Sequence, residues 1–207
     1  MKNAIRTISI GVVAFAVFTS SAFAATATTG AITTTATVDG ALSMTVLMKK
    51  NDSAGATVTA MDFGKLVDIG TGTLRSSSTS TTGTGAVDMF ITANSHGLPY
   101  TISQTGTSMS NGVTTLPTGA CTFVPVYAAA DNGGAAQPAG SALGTKGTWV
   151  SATAKNIYVS ETGTAALRTI QAVYSITDDP AAGATTSVPL NQPGGVYTGT
   201  ATITVTA

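Results

Sequence analysis

Few residues of this chain could do chemistry. Its single histidine, His96, lies in the run NSHGLP, and its single cysteine is Cys121. An imidazole that activates a thiolate makes a nucleophile–base pair in principle. Neither residue sits in a recognisable nucleophile motif, and no G-x-S-x-G elbow accompanies His96 to form a serine triad. A zinc centre of nitrogen and sulfur ligands needs more histidine or cysteine than the chain holds. Asp178-Asp179 precede Pro180, and Asp131-Asn132-Gly133-Gly134 forms a second polar cluster. Either could hold calcium only with loop carbonyls, and the D-x-[DN]-x-[DN]-G spacing is absent. Aspartate in such settings opens turns by accepting from the backbone two residues on. The glycine-rich runs GTGTL and GTGAV lack the lysine and following helix of a phosphate loop. Sparse acids also leave little material for a glycosidase-type carboxylate pair. The expectation is a protein that is not an enzyme, with no catalytic residue, no cofactor and no metal site.

Binding by stacking is the remaining option. The aromatics Phe63, Phe90, Tyr100, Phe123, Tyr127, Trp149, Tyr158, Tyr174 and Tyr197 read as core and cross-strand packing rather than a carbohydrate platform. An adhesin or carbohydrate-binding sandwich is the alternative function. Glycan binding abolished by changing Trp149 or Tyr127 would favour it, and their complete burial would weaken it.

The N-terminus bears on compartment. Lys2 and Arg6 precede an uncharged apolar run, Thr7 to Phe18, and then TSSAFA with Ala22 and Ala24. That is the layout of an export signal cleaved after small residues. The run is about 12 residues, short of the ~20 that a membrane-crossing helix needs. The expected signal peptide is 1–24, and the mature chain begins at Ala25. Without Lys2 and Arg6, seven basic residues stand against nine acidic ones, a net charge of about −2. No basic stripe offers itself to nucleic acid or anionic lipid. No further apolar run of spanning length follows the signal, so no integral membrane segment is expected. The polarity of the chain comes from Thr, Ser and Gly rather than charge, unlike a disordered polyelectrolyte. Cys121 has no partner for an internal disulfide and reads as a small buried hydrophobe, with an intermolecular bridge as the alternative.

The elements that would position these residues are strands. Apolar residues recur every second position, and threonine and valine abound. From Ile32 to Met48 the even positions are mainly apolar, with a break expected near Asp39-Gly40. KKNDSAGAT is a polar turn region, MDFGKLVDIG a strand, and SSSTSTTGTG a low-complexity loop or exposed edge. Val87, Met89 and Ile91 alternate with Asp88, Phe90 and Thr92, and Tyr100-Thr101-Ile102 opens the next strand after the turn formers Asn94, Gly97 and Pro99. In CTFVPVYA, Pro125 cannot donate to a ladder, which places that strand at an edge or a bulge. Further strands are expected around Trp149-Val150, Asn156 to Ser160 and Thr169 to Thr177, with a closing strand from Val196. Short strands punctuated by turns predict an all-β fold, an immunoglobulin-like Greek-key β-sandwich over residues 39–207. A closed barrel or β-solenoid is the alternative, although no fixed-period repeat calls for a solenoid.

Three stretches together resemble secreted bacterial pilins of the archaic chaperone–usher class, including spore coat protein U-like domains. The closing PGGVYTGTATITVTA resembles their final strand, through Pro193, Gly195, Tyr197, Thr198, Ile203 and Val205. MDFGKL carries a similar Phe63-Gly64. SHGLPYTIS is similar to their G-x-P-Y-T-[VI]-S, on Gly97, Pro99, Tyr100, Thr101, Ile102 and Ser103. The family usually places a disulfide-bonded cysteine just before that turn, where this chain has Ala93. The resemblance implies a sandwich that is incomplete, with a donor-strand groove that a neighbouring subunit's N-terminal segment fills by β-strand addition. It further implies a structural subunit of a secreted surface fibre (pilus) or coat, held together by contacts with other copies of itself or related subunits. A periplasmic chaperone and an outer-membrane usher would be its assembly partners, and the route would run through the periplasm to the cell surface.

Under that implication, the N-terminal extended segment 25–38 is the candidate donor strand, with Ile32, Ala36 and Val38 as plug residues and Thr34 as the weak position. An ordinary first strand pairing within its own sheet is the competing reading. The closing strand has Tyr197, Ala201, Ile203 and Val205 on its apolar face and threonine at nearly every alternate position. Those four are the candidate groove-lining residues, since one face belongs in a core and the other can meet solvent.

Overall fold

A computed structural model describes residues 25–28, 35–38, 42–50, 55–68, 70–76, 86–163 and 165–207. The expected signal peptide, 1–24, lies outside the described residues, as do Ile32 and Thr34. The strands in chain order are β1 (Ala25–Thr28), β2 (Thr35–Val38), β3 (Leu42–Lys50), β4 (Thr57–Val58) and β5 (Leu66–Asp68). There follow β6 (Thr73–Ser76), β7 (Val87–Asn94), β8 (Thr101–Gly106), β9 (Cys121–Val126) and β10 (Ala142–Leu143). The last are β11 (Gly147–Thr148), β12 (Ser151–Val159), β13 (Arg168–Ile176), β14 (Val188–Pro189) and β15 (Ala201–Thr206). Helix is confined, among the described residues, to three single 3-10 turns, and none of these is long and apolar enough to cross a membrane.

The fold is all-β. One sheet has the order β1-β15-β8-β12-β10, and the other β11-β9-β13-β7-β3-β2, with β4 pairing alongside β2 on β3. A small third sheet, β14-β6-β5, pairs with neither but packs Val188, Leu66 and Leu74 against the shared core. All pairings are antiparallel. Period-two patterning sets which way each strand faces. In β3, Leu42, Met44, Val46 and Met48 are buried while the residues between them are half-buried. In β13, Ile170, Ala172, Tyr174 and Ile176 face inward, and in β15 Ala201, Ile203 and Val205 do so. These side chains from both large sheets form one core. Each fully buried aliphatic among them contributes roughly 1.5–3 kcal/mol. Tyr174 of β13 ties the layers together by donating its hydroxyl across the core to Oε1 of Gln104 on β8.

Three local expectations meet the structure in instructive ways. The apolar alternation from Ile32 to Met48 is not one extended segment: Val38 pairs with Leu42 and Thr35 with Thr45, so the chain reverses between β2 and β3. Asp39-Gly40 is the dipeptide that a tight hairpin reversal favours. Pro125 sits where its missing N–H costs nothing. The Cys121 carbonyl accepts from Trp149 N–H on the outer side of β9, so by the two-residue period the Pro125 nitrogen faces that same side. There β11 has already ended, opposite Phe123. The closing strand, expected from Val196, becomes a regular ladder only at Ala201. Before that, Ser110 and Thr198 exchange backbone hydrogen bonds and Thr107 N–H donates to Thr200. Gly199 packs closely here: an added Cβ would lie 3.1 Å from the Thr107 carbonyl oxygen and 3.2 Å from the Met109 side chain.

Ala93, at the position where the resembled family places a cysteine, is fully buried in β7. It stands opposite Met44 of β3 and Arg168 of β13. A long, adaptable methionine beside a small alanine packs this part of the core without a cross-link.

Candidate functional site

The candidate site is the edge of β15 together with the two poles of the sandwich. One side of β15 is taken by β8, in the register Ala201↔Gly106 to Thr206↔Thr101. The other side carries β1, in the register Ala25↔Val205, Thr26↔Thr204, Ala27↔Ile203 and Thr28↔Thr202. Four N-terminal residues therefore cover an edge that would otherwise present unpaired N–H and C=O groups. The sequence ATAT alternates with the period of a strand, and that was the only local signal for this pairing.

Of the four candidate donor residues, the two that are described are not at that edge. Ala36 and Val38 lie in β2, opposite Met44 and Leu42 of β3 in the other sheet. Ile32 and Thr34 fall outside the described residues. The candidate closing-strand residues divide as well. Ala201, Ile203 and Val205 are fully buried and point into the shared core. Tyr197 lies before the ladder begins, half-buried, with its hydroxyl donated to the Pro193 carbonyl at 2.6 Å. Gln192 Nε2 donates to the Tyr197 hydroxyl oxygen at 2.8 Å, and Thr114 Oγ1 lies 2.9 Å from that hydroxyl. Asn111 Nδ2 adds a bond to the Gly194 carbonyl at 3.3 Å. The loop at residues 192–197 is thus locked by polar contacts rather than by packing alone.

The strand directions define two poles. The first holds the loop between β7 and β8 with Leu98, and the segment entering β13 with Leu167. A bridge between Gly97 and Ala165 joins them. The second pole lies where β8 and β13 end and β15 begins. A cavity of about 510 Å³ opens there. Met61, Phe63, Leu66, Leu116, Ile176 and Tyr197 are among its lining residues. Val196 is also on its wall and is 83 % exposed, and Val113, in the tip between Ser110 and Thr115, is 88 % exposed. At the first pole Leu98 and Leu167 are 51 % and 56 % exposed. Each pole therefore carries apolar side chains that its own fold leaves uncovered.

The residues singled out for chemistry are dispersed. His96 is exposed at the first pole, in a left-handed conformation (φ 52°) supported by Asn94 Oδ1 accepting from its N–H at 2.9 Å. Cys121 is buried at the opposite pole, beside Ile176, where burial pushes its thiol up to about 12. The two ends of the strands separate this pair. Asp178 clasps Arg75 and accepts from Thr73 Oγ1 at 2.5 Å. Asp179 caps the turn at Pro180–Ala182 by accepting from Ala181 N–H at 2.8 Å. In the second cluster Asn132 does the structural work. Its amide mimics a strand neighbour, donating to the Thr169 carbonyl and accepting from the Thr169 N–H, both at 2.9 Å. Among the described residues no group of three histidine, cysteine, aspartate or glutamate side chains stands close enough to hold a metal ion.

Trp149 is 1 % exposed. It stacks on Phe63 at 6.4 Å and meets Tyr174 edge-on at 6.3 Å. A ring so enclosed has no face for a sugar, and Tyr127 is half-buried against the same core. Compared with known proteins, the chain matches no family model, no curated protein and no solved structure.

Proposed function

We propose that this chain is an exported structural subunit that assembles into a surface fibre or coat by β-strand addition between copies. The observation that carries the reading is the β1–β15 pairing. A four-residue strand from the N-terminal segment completes the edge of the closing strand, next to the buried Ala201, Ile203 and Val205. A short edge strand, contributed from the chain's far end in sequence, is the kind of element that copies exchange at low cost. The same ladder made by a neighbour's segment would offer the same main-chain hydrogen bonds.

Other features support it. The chain passes between the two large sheets at β1–β2, at β7–β8 and at every connection from β8 to β13, a pattern compatible with a Greek-key sandwich. The stretches SHGLPYTIS and PGGVYTGTATITVTA, which carry the resemblance to archaic chaperone–usher pilins, form the loop into β8 and the run into β15. In this reading a periplasmic chaperone covers the β15 edge first, an outer-membrane usher exports the subunit, and another copy then takes the edge.

The test uses the chain from Ala25 at rising concentration, with and without an excess of a synthetic peptide of residues 25–38. Linear multimers in electron micrographs, suppressed by the peptide, are the expected result. A monomer at every concentration that neither multimerises nor binds labelled peptide would overturn the proposal.

A further inference from the structure

We propose that the cavity beside Val196 binds a single-chain amphipathic carboxylate, with the alkyl tail inside and the head at Lys65. One chain supplies all the lining described, so the site exists whether or not copies assemble. The floor belongs to the core: Phe63, Met109, Leu116 and Ile176 line it and are at most 9 % exposed. One wall is the segment 61–65 that leads into β5. The Ser76 hydroxyl ties it down by donating to the Phe63 carbonyl, and Gly64 (φ 69°) turns the chain there. A second wall is the loop 192–197, locked by the bonds around the Tyr197 hydroxyl and by Asn111 on the Gly194 carbonyl. Both walls are held by bonds within the chain.

Volume and lining limit the occupant. About 510 Å³ falls within the ~300–1,000 Å³ of small-molecule sites. A floor this apolar offers little to the hydroxyls of a sugar, and burying them unpaired would cost binding. Charge at the rim then selects the head. Among the described lining residues there is one acid, Asp62, and one base, Lys65. Asp62 is engaged twice, accepting from Gly64 N–H at 2.8 Å and lying 3.9 Å from Lys50 Nζ. Lys65 is exposed and makes no ion pair among the described residues. Gly194, Gly195 and Val196 also line the cavity, and among the described residues their backbone N–H groups have no acceptor. An ammonium and successive peptide N–H groups beside an apolar cavity favour an anionic head on an apolar body. A cationic head would meet Lys65 and find the one acid already taken.

Calorimetric titration of the chain from Ala25 with hexanoate, octanoate, decanoate and dodecanoate, each below its micelle concentration, tests the tail. Kd should fall about fourfold per added methylene until the cavity is full. Trp149 fluorescence should change in step, because that ring stacks on Phe63 of the cavity floor. Decanol, decyltrimethylammonium and the variant Lys65→Gln test the head. Decanoate should bind tightest of the three ten-carbon compounds and lose about two- to fivefold in the variant, with decanol unchanged. No saturable binding up to millimolar decanoate, or equal affinity for every tail length, would overturn the proposal. So would decanol or the ammonium compound binding as tightly as decanoate, or unaltered decanoate affinity in Lys65→Gln. Met61→Trp, at a half-buried lining position, should weaken every compound at least tenfold while keeping a cooperative melting transition. Unchanged binding in that variant would put the ligand elsewhere and overturn the site.

Discussion

Ala27 of β1 stands opposite Ile203 of β15, and Ile203 has Gln104 of β8 as its neighbour on the other side. The last strand of the chain is thus an interior strand only because the described N-terminal residues cover it. Removing residues 25–28 turns it into an edge with a free ladder on one side. Net hydrogen bonds of about 1 kcal/mol each, over a four-residue ladder, put the loss at roughly 2–4 kcal/mol. Thermal melting of the chain starting at residue 29 should show that loss, and light scattering should show faster aggregation than for the chain from Ala25.

The two faces of β15 should respond unequally to truncation. Ile203→Ala opens a hole in a fully buried position and should cost about 2–5 kcal/mol. Thr204, half-buried on the opposite face, should tolerate alanine within about 1 kcal/mol. Urea denaturation of both variants decides it, and equal effects would refute the facing assigned to the strand.

Gly106 is held at the end of β8 by lack of space rather than by backbone conformation. A Cβ there would lie 2.6 Å from the Trp149 carbonyl oxygen and 2.7 Å from its ring. Gly106→Ala should destabilise by about 1–3 kcal/mol through overpacking, with altered tryptophan fluorescence as a direct sign that the ring has moved. Gly147, with nothing within 4 Å of the same position, should accept alanine with little change.

The clasp between Asp178, Thr73 and Arg75 joins the small third sheet to the end of β13. Burial works to raise the Asp178 carboxyl, but the Thr73 hydrogen bond and the Arg75 guanidinium outweigh it and hold the group below the usual carboxylate range. A carboxyl lowered by folding stabilises the native state fully above its unfolded value, near 4, and that contribution fades as pH falls through the folded value. Wild-type chain should therefore lose stability on acidification below about pH 4 more steeply than Asp178→Asn, which lacks the titrating group. At pH 7 the same variant should be less stable by about 1–3 kcal/mol, since it strands a partly buried guanidinium. Melting curves of both proteins from pH 7 to pH 2.5 would reveal parallel lines if the clasp contributes nothing.

Much of this fold is legible in residue order. The alternation of Leu42, Met44, Val46 and Met48, and of Ala201, Ile203 and Val205, assigns strands and their inward faces, because a strand repeats every two residues. Asp39-Gly40 marks a break in the alternation, and Pro125 marks a position with no N–H to donate to a ladder, since both effects arise within a few bonds. The capping role of Asp179 follows from the same local chemistry, whereas the bonds of Asp178 to Thr73 and Arg75 and of Asn132 to Thr169 join segments distant along the chain.

Which strands become neighbours was decided only in three dimensions. Ala36 and Val38 alternate as well as Ala25 and Ala27 do, yet the first pair lies on β3 and the second on β15. Every strand offers the same backbone donors and acceptors, so residue pattern fixes a face but names no partner. Closure of the sandwich chooses among them by what each pairing buries. The enclosure of Trp149, the separation of His96 from Cys121, and the apolar cavity beside Val196 likewise belong to the tertiary structure, because each is made by segments that are distant along the chain.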